Sequence, residues 1–304
     1  MSARPRTALR PAHPAPLARP VQRRPRSAVW WIEGLAAVAV AAVYLVAPPA
    51  VPSEATIRVA EHRGAALFEW EARWGLAIEP AVQSAVAAIH LEWLANWLYG
   101  SLHFALTAAA FVVLLRRRPT AYPRWRTAFV VASVGAFALH RWLPVAPPRL
   151  VPDGQGSTLM SDWLAQHSTL WSFESGPISE VANHYSAVPS MHVGWAVLSA
   201  VALASATSSR WRTAILVGYP VLVTVVVMAT GNHFLVDALA GAAVALGALA
   251  GVRVAGDLAR HFRERRGRDR REAPDRAPDD RRVETVGPEP RGAADVMEPA
   301  TQAA

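Results

Sequence analysis

Residues Ser186 to Leu198 read SAVPSMHVGWAVL. An apolar run that extends from Val188 to Ala206 opens on proline, serine and histidine. At ~1.5 Å per residue this run is about as long as a bilayer core is thick. An imidazole at the mouth of such a helix is costly unless the mouth meets water or a ligand. Fold and function both turn on where that mouth points and on what else points there.

The 304-residue chain is 52% hydrophobic and 18% charged, with mean hydropathy +0.18. Its apolar residues come in long blocks, the pattern of a polytopic membrane protein rather than of a soluble core. There is no cysteine, which excludes disulfides, thiolate nucleophiles and cysteine-bound metal. All 31 basic side chains are arginine, and the net charge is +8. The arginines cluster at the ends of apolar blocks, so the charge reads as membrane orientation and not as nucleic-acid binding.

Residues 1–27 form a basic, proline-rich arm with no acid, expected to be disordered. A first span follows from Ala28 to Ala47, with Glu33 near its inner end; cleavage as a signal peptide is the rival reading. Ser53 to Ile78 mixes charges with Trp70 and Trp74 and reads as an amphipathic helix on the membrane surface, or else a soluble connector. Five more spans are expected over Ile89–Leu115, Thr127–Val145, Val188–Ala206, Ala214–Ala229 and Phe234–Val252. The fold class is therefore all-α, with six transmembrane helices and one interfacial helix. The domains are the arm, a membrane domain over 28–257, and a charged, largely disordered cytoplasmic tail over 258–304.

Arginine placement gives the sidedness. The arm, the segment Arg116–Arg126 with five arginines and no acid, SSRWR at 208–212 and the tail all fall on one side. The long loop 146–187 on the other side holds Arg149 against Asp153, Asp162, Glu174 and Glu180. By the positive-inside rule both termini are cytoplasmic, in an integral, multi-pass cell-membrane protein.

The outer ends of three spans then deliver ionisable groups to one face. His192 lies one turn into the fourth span; TGNHFLVDALAG puts His233 and Asp237 at the mouth of the sixth; PVAPPRL brings Arg149 from the third. His233 and Asp237, at i and i+4, share a helical face, where the carboxylate would set the imidazole tautomer. His192 suits a general acid. Pro189 fits a first helical turn, so Ser190, Met191 and His192 would offer N–H groups to an anion. Arg149 is a planar donor fork suited to phosphate. The set describes a phosphoryl-transfer site at the extracytoplasmic face that needs no metal or cofactor, with a lipid-linked phosphate as the partner.

PSMH followed by GNHFLVD resembles the second and third motifs of the type 2 phosphatidic acid phosphatase (PAP2) superfamily. PVAPPRL and TGNHFLVDALAG resemble most its branch related to inositol phosphorylceramide synthases, the inositolphosphotransferase-like proteins. The likeness runs from Ile89 to Val252, including NWLY and LH of the second span. It implies a six-helix membrane core and a phosphohistidine intermediate on His233, supported by Asp237, with His192 protonating the leaving group. Three positions depart from the pattern. Trp142 stands for a lysine, Leu150 for a proline and Val227 for an arginine, leaving Arg141 or His184 to compensate.

Each residue also has a plainer explanation. His192 is a helix-end histidine, His233 with Asp237 a packed polar pair, Arg149 a headgroup anchor. Asn183, His184 and Tyr185 either line the pocket or are loop polarity. His103 and His140 suit interhelical hydrogen bonds. Two other functions stay open: a membrane hydrolase using metal or Ser190, and an inactive transporter or scaffold of the same fold.

Overall fold

The computed structural model describes residues 52–167, 184–207 and 211–272, so the basic arm, the expected first span and Asn183 lie outside the described residues. Among the described residues the chain is helical, with no strand. Helix α1, Glu54–Arg73, starts on Ser53, whose hydroxyl accepts from the Thr56 N–H. Helix α2, Glu79–Ala88, carries Pro80 in its first turn; the sequence reading left this segment without a helix of its own. His90, at φ 56°, turns the corner into α3, Glu92–Arg117, which opens on an acid and closes on Arg116 and Arg117, in accord with its dipole. Helix α4, Tyr122–Trp142, has Pro123 at its start.

A one-turn 3₁₀ helix, Pro148–Leu150, and the short α5, Trp163–Gln166, follow in the long loop. Helix α6 is Met191–Ser205. Helix α7, Trp211–Ala229, contains a π-helical stretch, Ala214–Gly218, just before Pro220. Proline has no N–H to give the preceding turn, and the ladder there widens. Helix α8 runs from Leu235 to Glu272, further than the apolar block at 234–252. Residues 257–272 of this helix belong to a second unit.

Among the described residues three helices are long and apolar enough to cross a membrane: Glu92–Arg117, Trp211–Ala229 and the stretch Leu235–Arg268 of α8. Helix α6 is apolar but only 15 residues long. It is the central element, packed by α3, α4 and α7, and most of its side chains are buried. Helix α4 is long enough, but Arg124, Arg126 and Arg141 lower its hydropathy.

Between lipid-facing helices close approach replaces the hydrophobic effect as the source of cohesion. Ala110, Ala128, Ala132, Ala136, Ala202 and Ala245 line one such contact among α3, α4, α6 and α8. The tightest point is Gly241 of α8. A Cβ there would lie 2.0 Å from the Ser190 carbonyl oxygen, so only glycine lets the start of α6 seat on α8.

Helix α1 forms where the interfacial helix was expected, but its buried face packs on protein. Ala60 joins Ala146, Val151 and Phe234 in one apolar cluster, and the Ala60 carbonyl accepts from the Ala146 N–H at 3.0 Å. Glu71, one of the charges that this stretch mixes with its tryptophans, is fully buried.

Candidate functional site

One end of the bundle gathers the starts of α6 and α8, the end of α7 and the 3₁₀ turn. Two chain crossings build it. Val145 pairs with Ser186, the Val145 N–H donating to the Tyr185 carbonyl at 2.8 Å and the Ala187 N–H to the Val145 carbonyl at 3.2 Å. The Arg149 N–H donates to the Gly231 carbonyl at 3.0 Å. Gly231, at φ 70° and with its Cβ position 3.0 Å from the Arg149 Cβ, makes that approach possible.

His192 and His233 come together, ring centroids 5.6 Å apart and inclined at 61°. His233 is 5% exposed. Its Nδ1 lies 2.9 Å from the Ala187 carbonyl oxygen and 3.5 Å from Asp237 Oδ2. The nearer partner is a main-chain acceptor, which selects the Nδ1–H tautomer and leaves Nε2 with its lone pair. The expected carboxylate–imidazole contact is therefore the longer of two. Asp237 Oδ2 accepts from the Phe234 N–H at 2.9 Å, the acid half of a capping box, while its Oδ1 is buried with no partner.

His192 stacks on Tyr99, with centroids 4.4 Å apart, and meets His103 at 4.2 Å. An interhelical hydrogen bond is the sequence expectation for His103, but its ring meets His192 at a tilt of 56° with Nδ1 buried and without a partner. His140 Nε2 sits 3.0 Å from the Pro189 carbonyl oxygen. The helix opens differently from the expectation. Met191 is its first residue and Ser190 its N-cap, so Pro189 precedes the first turn. The Ser190 N–H donates to the Asp237 carbonyl at 2.9 Å and is not free for an anion. Met191 and His192 keep first-turn N–H groups without an intrahelical acceptor. Ser190 Oγ is buried with no partner.

Arg149 is 4% exposed, and each of its three nitrogens has a side-chain partner. Its Nε donates to Asn232 Oδ1 at 2.9 Å, one terminal nitrogen to Asp162 Oδ2 at 2.6 Å and the other to His184 Nδ1 at 3.3 Å. Burial and the neighbouring guanidinium push the His184 imidazole below its ordinary value, so it stays a neutral acceptor. Burial raises Tyr185 above the usual phenol range. At the departing positions, Trp142 is 76% exposed and Val227 is packed in the core with Val193, Ala196, Val223 and Ala238. Arg141 is exposed. Of the two candidates to compensate, His184 reaches Arg149.

Sequence reasoning missed Asp162 and Asn232 as partners of Arg149, the Ala187 carbonyl, and two acids at the mouth of α8. Glu79 Oε1 accepts from the Leu235 N–H at 2.6 Å and Glu71 Oε1 from the Val236 N–H at 2.7 Å. It also missed Gln83, whose amide nitrogen donates to the Ser161 and Ala229 carbonyls at 3.0 and 2.9 Å while its oxygen accepts from the Ser161 N–H. Among the described residues no three His, Asp or Glu side chains gather as metal ligands.

Residues 65–251, more than half of the chain, match the family model of the PAP2 superfamily. No curated protein and no solved structure matches.

Proposed function

Given that the chain belongs to the PAP2 superfamily, we propose that it is a membrane-embedded phosphoryl-transfer enzyme that works through a phosphohistidine. The observation that carries this reading is the meeting of His192 and His233, with the His233 Nδ1 set against the Ala187 carbonyl. In the first step His233 Nε2 attacks phosphorus, and the bond from phosphorus to the leaving oxygen breaks. His192 gives that oxygen its proton. In the second step water or a substrate hydroxyl attacks the phosphorus and loses its proton to His192, while the bond from phosphorus to His233 Nε2 breaks and its electron pair returns to the imidazole. Asp237 stabilises the charge that His233 gains. The N–H groups of Met191 and His192, the Ser190 hydroxyl and the Arg149 fork surround the phosphate.

The substrate is lipid-linked. Its tails stay in the bilayer while its headgroup reaches the helix mouths. Three observations favour a headgroup transferase of the inositolphosphotransferase-like branch over a monoester phosphatase. Trp142 and Val227 bring no cation, and Arg149 is already balanced by Asp162. A phosphodiester carries one negative charge where a monoester carries up to two, and it needs less cationic compensation. The arginine bias of the connections supports six spans, an extracytoplasmic site and α1 at the membrane surface.

The test is purified protein in detergent with a mixed membrane-lipid extract, His233→Ala alongside, and products followed by mass spectrometry. Headgroup-exchanged lipid that depends on His233 is the expected result. Free phosphate that depends on His233 would make the enzyme a phosphatase. Identical lipid profiles for the two proteins would leave the inactive transporter or scaffold reading in its place.

A further inference from the structure

Helix α8 begins in an unusual way. Its N-cap position is Phe234, whose side chain cannot accept a hydrogen bond. The N–H groups of Phe234, Leu235 and Val236 are nevertheless all bonded, each to a carboxylate. Asp237 Oδ2 takes the first, Glu79 Oε1 the second and Glu71 Oε1 the third, at 2.9, 2.6 and 2.7 Å. Glu71 and Glu79 come from α1 and α2, more than 150 residues earlier in the chain. Both are 0% exposed. Each keeps its second oxygen, Oε2, buried with no partner.

Two buried carboxylates beside a third cannot all be ionised. Among the described residues, the groups that face the pair supply no cation. From α8 it meets Asp237. The segment Tyr219–Ala229 of α7, on which α2 packs, has no charged residue. Arg149, on the turn beside α1, is committed to Asp162. The two unpartnered Oε2 atoms are then accounted for if one carries a proton and donates it to the other, the side chains being within hydrogen-bonding reach. Burial pushes the Glu71 carboxyl up to about 8 and raises Glu79 as well, so the pair as a unit holds one proton.

We propose that Glu71 and Glu79 are positioning residues of the phosphoryl-transfer site, a proton-sharing pair that clamps the first turn of α8 and so fixes His233 and Asp237 on either side of it. The clamp is closed while the pair holds its proton. Loss of that proton sets two anions against each other and opens it. The inference rests on the phosphoryl-transfer reading for its catalytic consequence, but not for its structural one.

The experiment is hydrogen–deuterium exchange of the peptide spanning residues 232–240 in the purified full chain, from pH 6 to pH 9.5 and corrected for intrinsic exchange. Wild type, Glu71→Gln, Glu79→Gln and Glu71→Ala are compared. In wild type, protection of the Leu235 and Val236 amides should fall about tenfold between pH 8 and pH 9. Glu71→Gln, which keeps the acceptor and a permanent donor, should stay protected across the range, and Glu71→Ala should be unprotected throughout. If Glu71→Ala does not fold, the isosteric Gln variants decide. A wild-type profile without the step, or the same step in Glu71→Gln, overturns the proposal. Turnover of phosphatidylinositol and dioleoyl phosphatidate in mixed micelles, with His233→Ala as control, is read on the same samples. A kcat that falls over the same pH window at unchanged KM is expected. No His233-dependent turnover would refute the functional reading, while the exchange data still decide the clamp.

Discussion

The Arg149 guanidinium and the Asp162 carboxylate meet at 2.6 Å, so the cation that a phosphate would approach already holds an anion. Asp162→Asn removes that competitor while its amide oxygen can still cap Leu164 and Ala165, as the carboxylate does. We expect KM for phosphatidylinositol to fall about fivefold, equal to ~1 kcal/mol. An unchanged KM would mean that Arg149 is structural. Arg149→Ala strands the carboxylate and should cost about 3 kcal/mol in thermal unfolding.

Asp237 serves two ends at once. One oxygen caps Phe234 and stands 3.5 Å from His233 Nδ1. Asp237→Asn can keep the cap but loses the charge, so stability should change by less than about 1 kcal/mol while kcat falls at least ~100-fold. Asp237→Ala should lose about 1 kcal/mol more. Equal kcat for Asn and wild type would leave Asp237 with the cap alone.

Glycine substitutions along α8 should split sharply. Gly241→Ala drives a methyl into the Ser190 carbonyl and should cost ~3 kcal/mol, with activity lost as the start of α6 shifts. Gly247→Ala meets nothing within 4 Å and should stabilise the helix by up to ~1 kcal/mol. Melting temperatures of the two variants test this directly.

The pair at the mouth of α8 sets a stability profile. Glu71 rises from 4.5 in the unfolded chain to about 8 in the fold. Between those values the native state binds a proton that the unfolded state releases, so this group's contribution falls as pH rises and levels off above pH 8. The melting temperature of Glu71→Gln relative to wild type should therefore climb steadily from pH 5 to pH 8. A difference independent of pH would contradict the raised carboxyl.

The apolar blocks at 89–115, 214–229 and 234–252 were legible because a span must be continuous and apolar, and helices stand at each. That His192 and His233 would meet was legible because both open apolar blocks whose alternation brings those ends to one side. Glu71 was not. On a helix that also carries Glu54, Arg58, Glu61 and Arg63, one more acid looks like solvent-facing charge, and its partner N–H groups lie on another helix. Asp162 and Asn232 were hidden for the same reason: a loop acid and a loop amide acquire meaning from what crosses them. The first span and Asn183 fall outside the described residues, and the fate of Glu33 goes with them.

The acceptor nearest to His233 is the main-chain oxygen of Ala187. No side-chain substitution deletes it, so an alanine scan across residues 184–190 would pass over the group that selects the imidazole tautomer. Its contribution becomes visible through the backbone itself. Replacing Val188 by its α-hydroxy acid turns the Ala187 carbonyl into a weaker ester acceptor. The site thus has a member that a residue-by-residue survey cannot count, and a map drawn from side chains alone would credit Asp237 with work that the peptide chain performs.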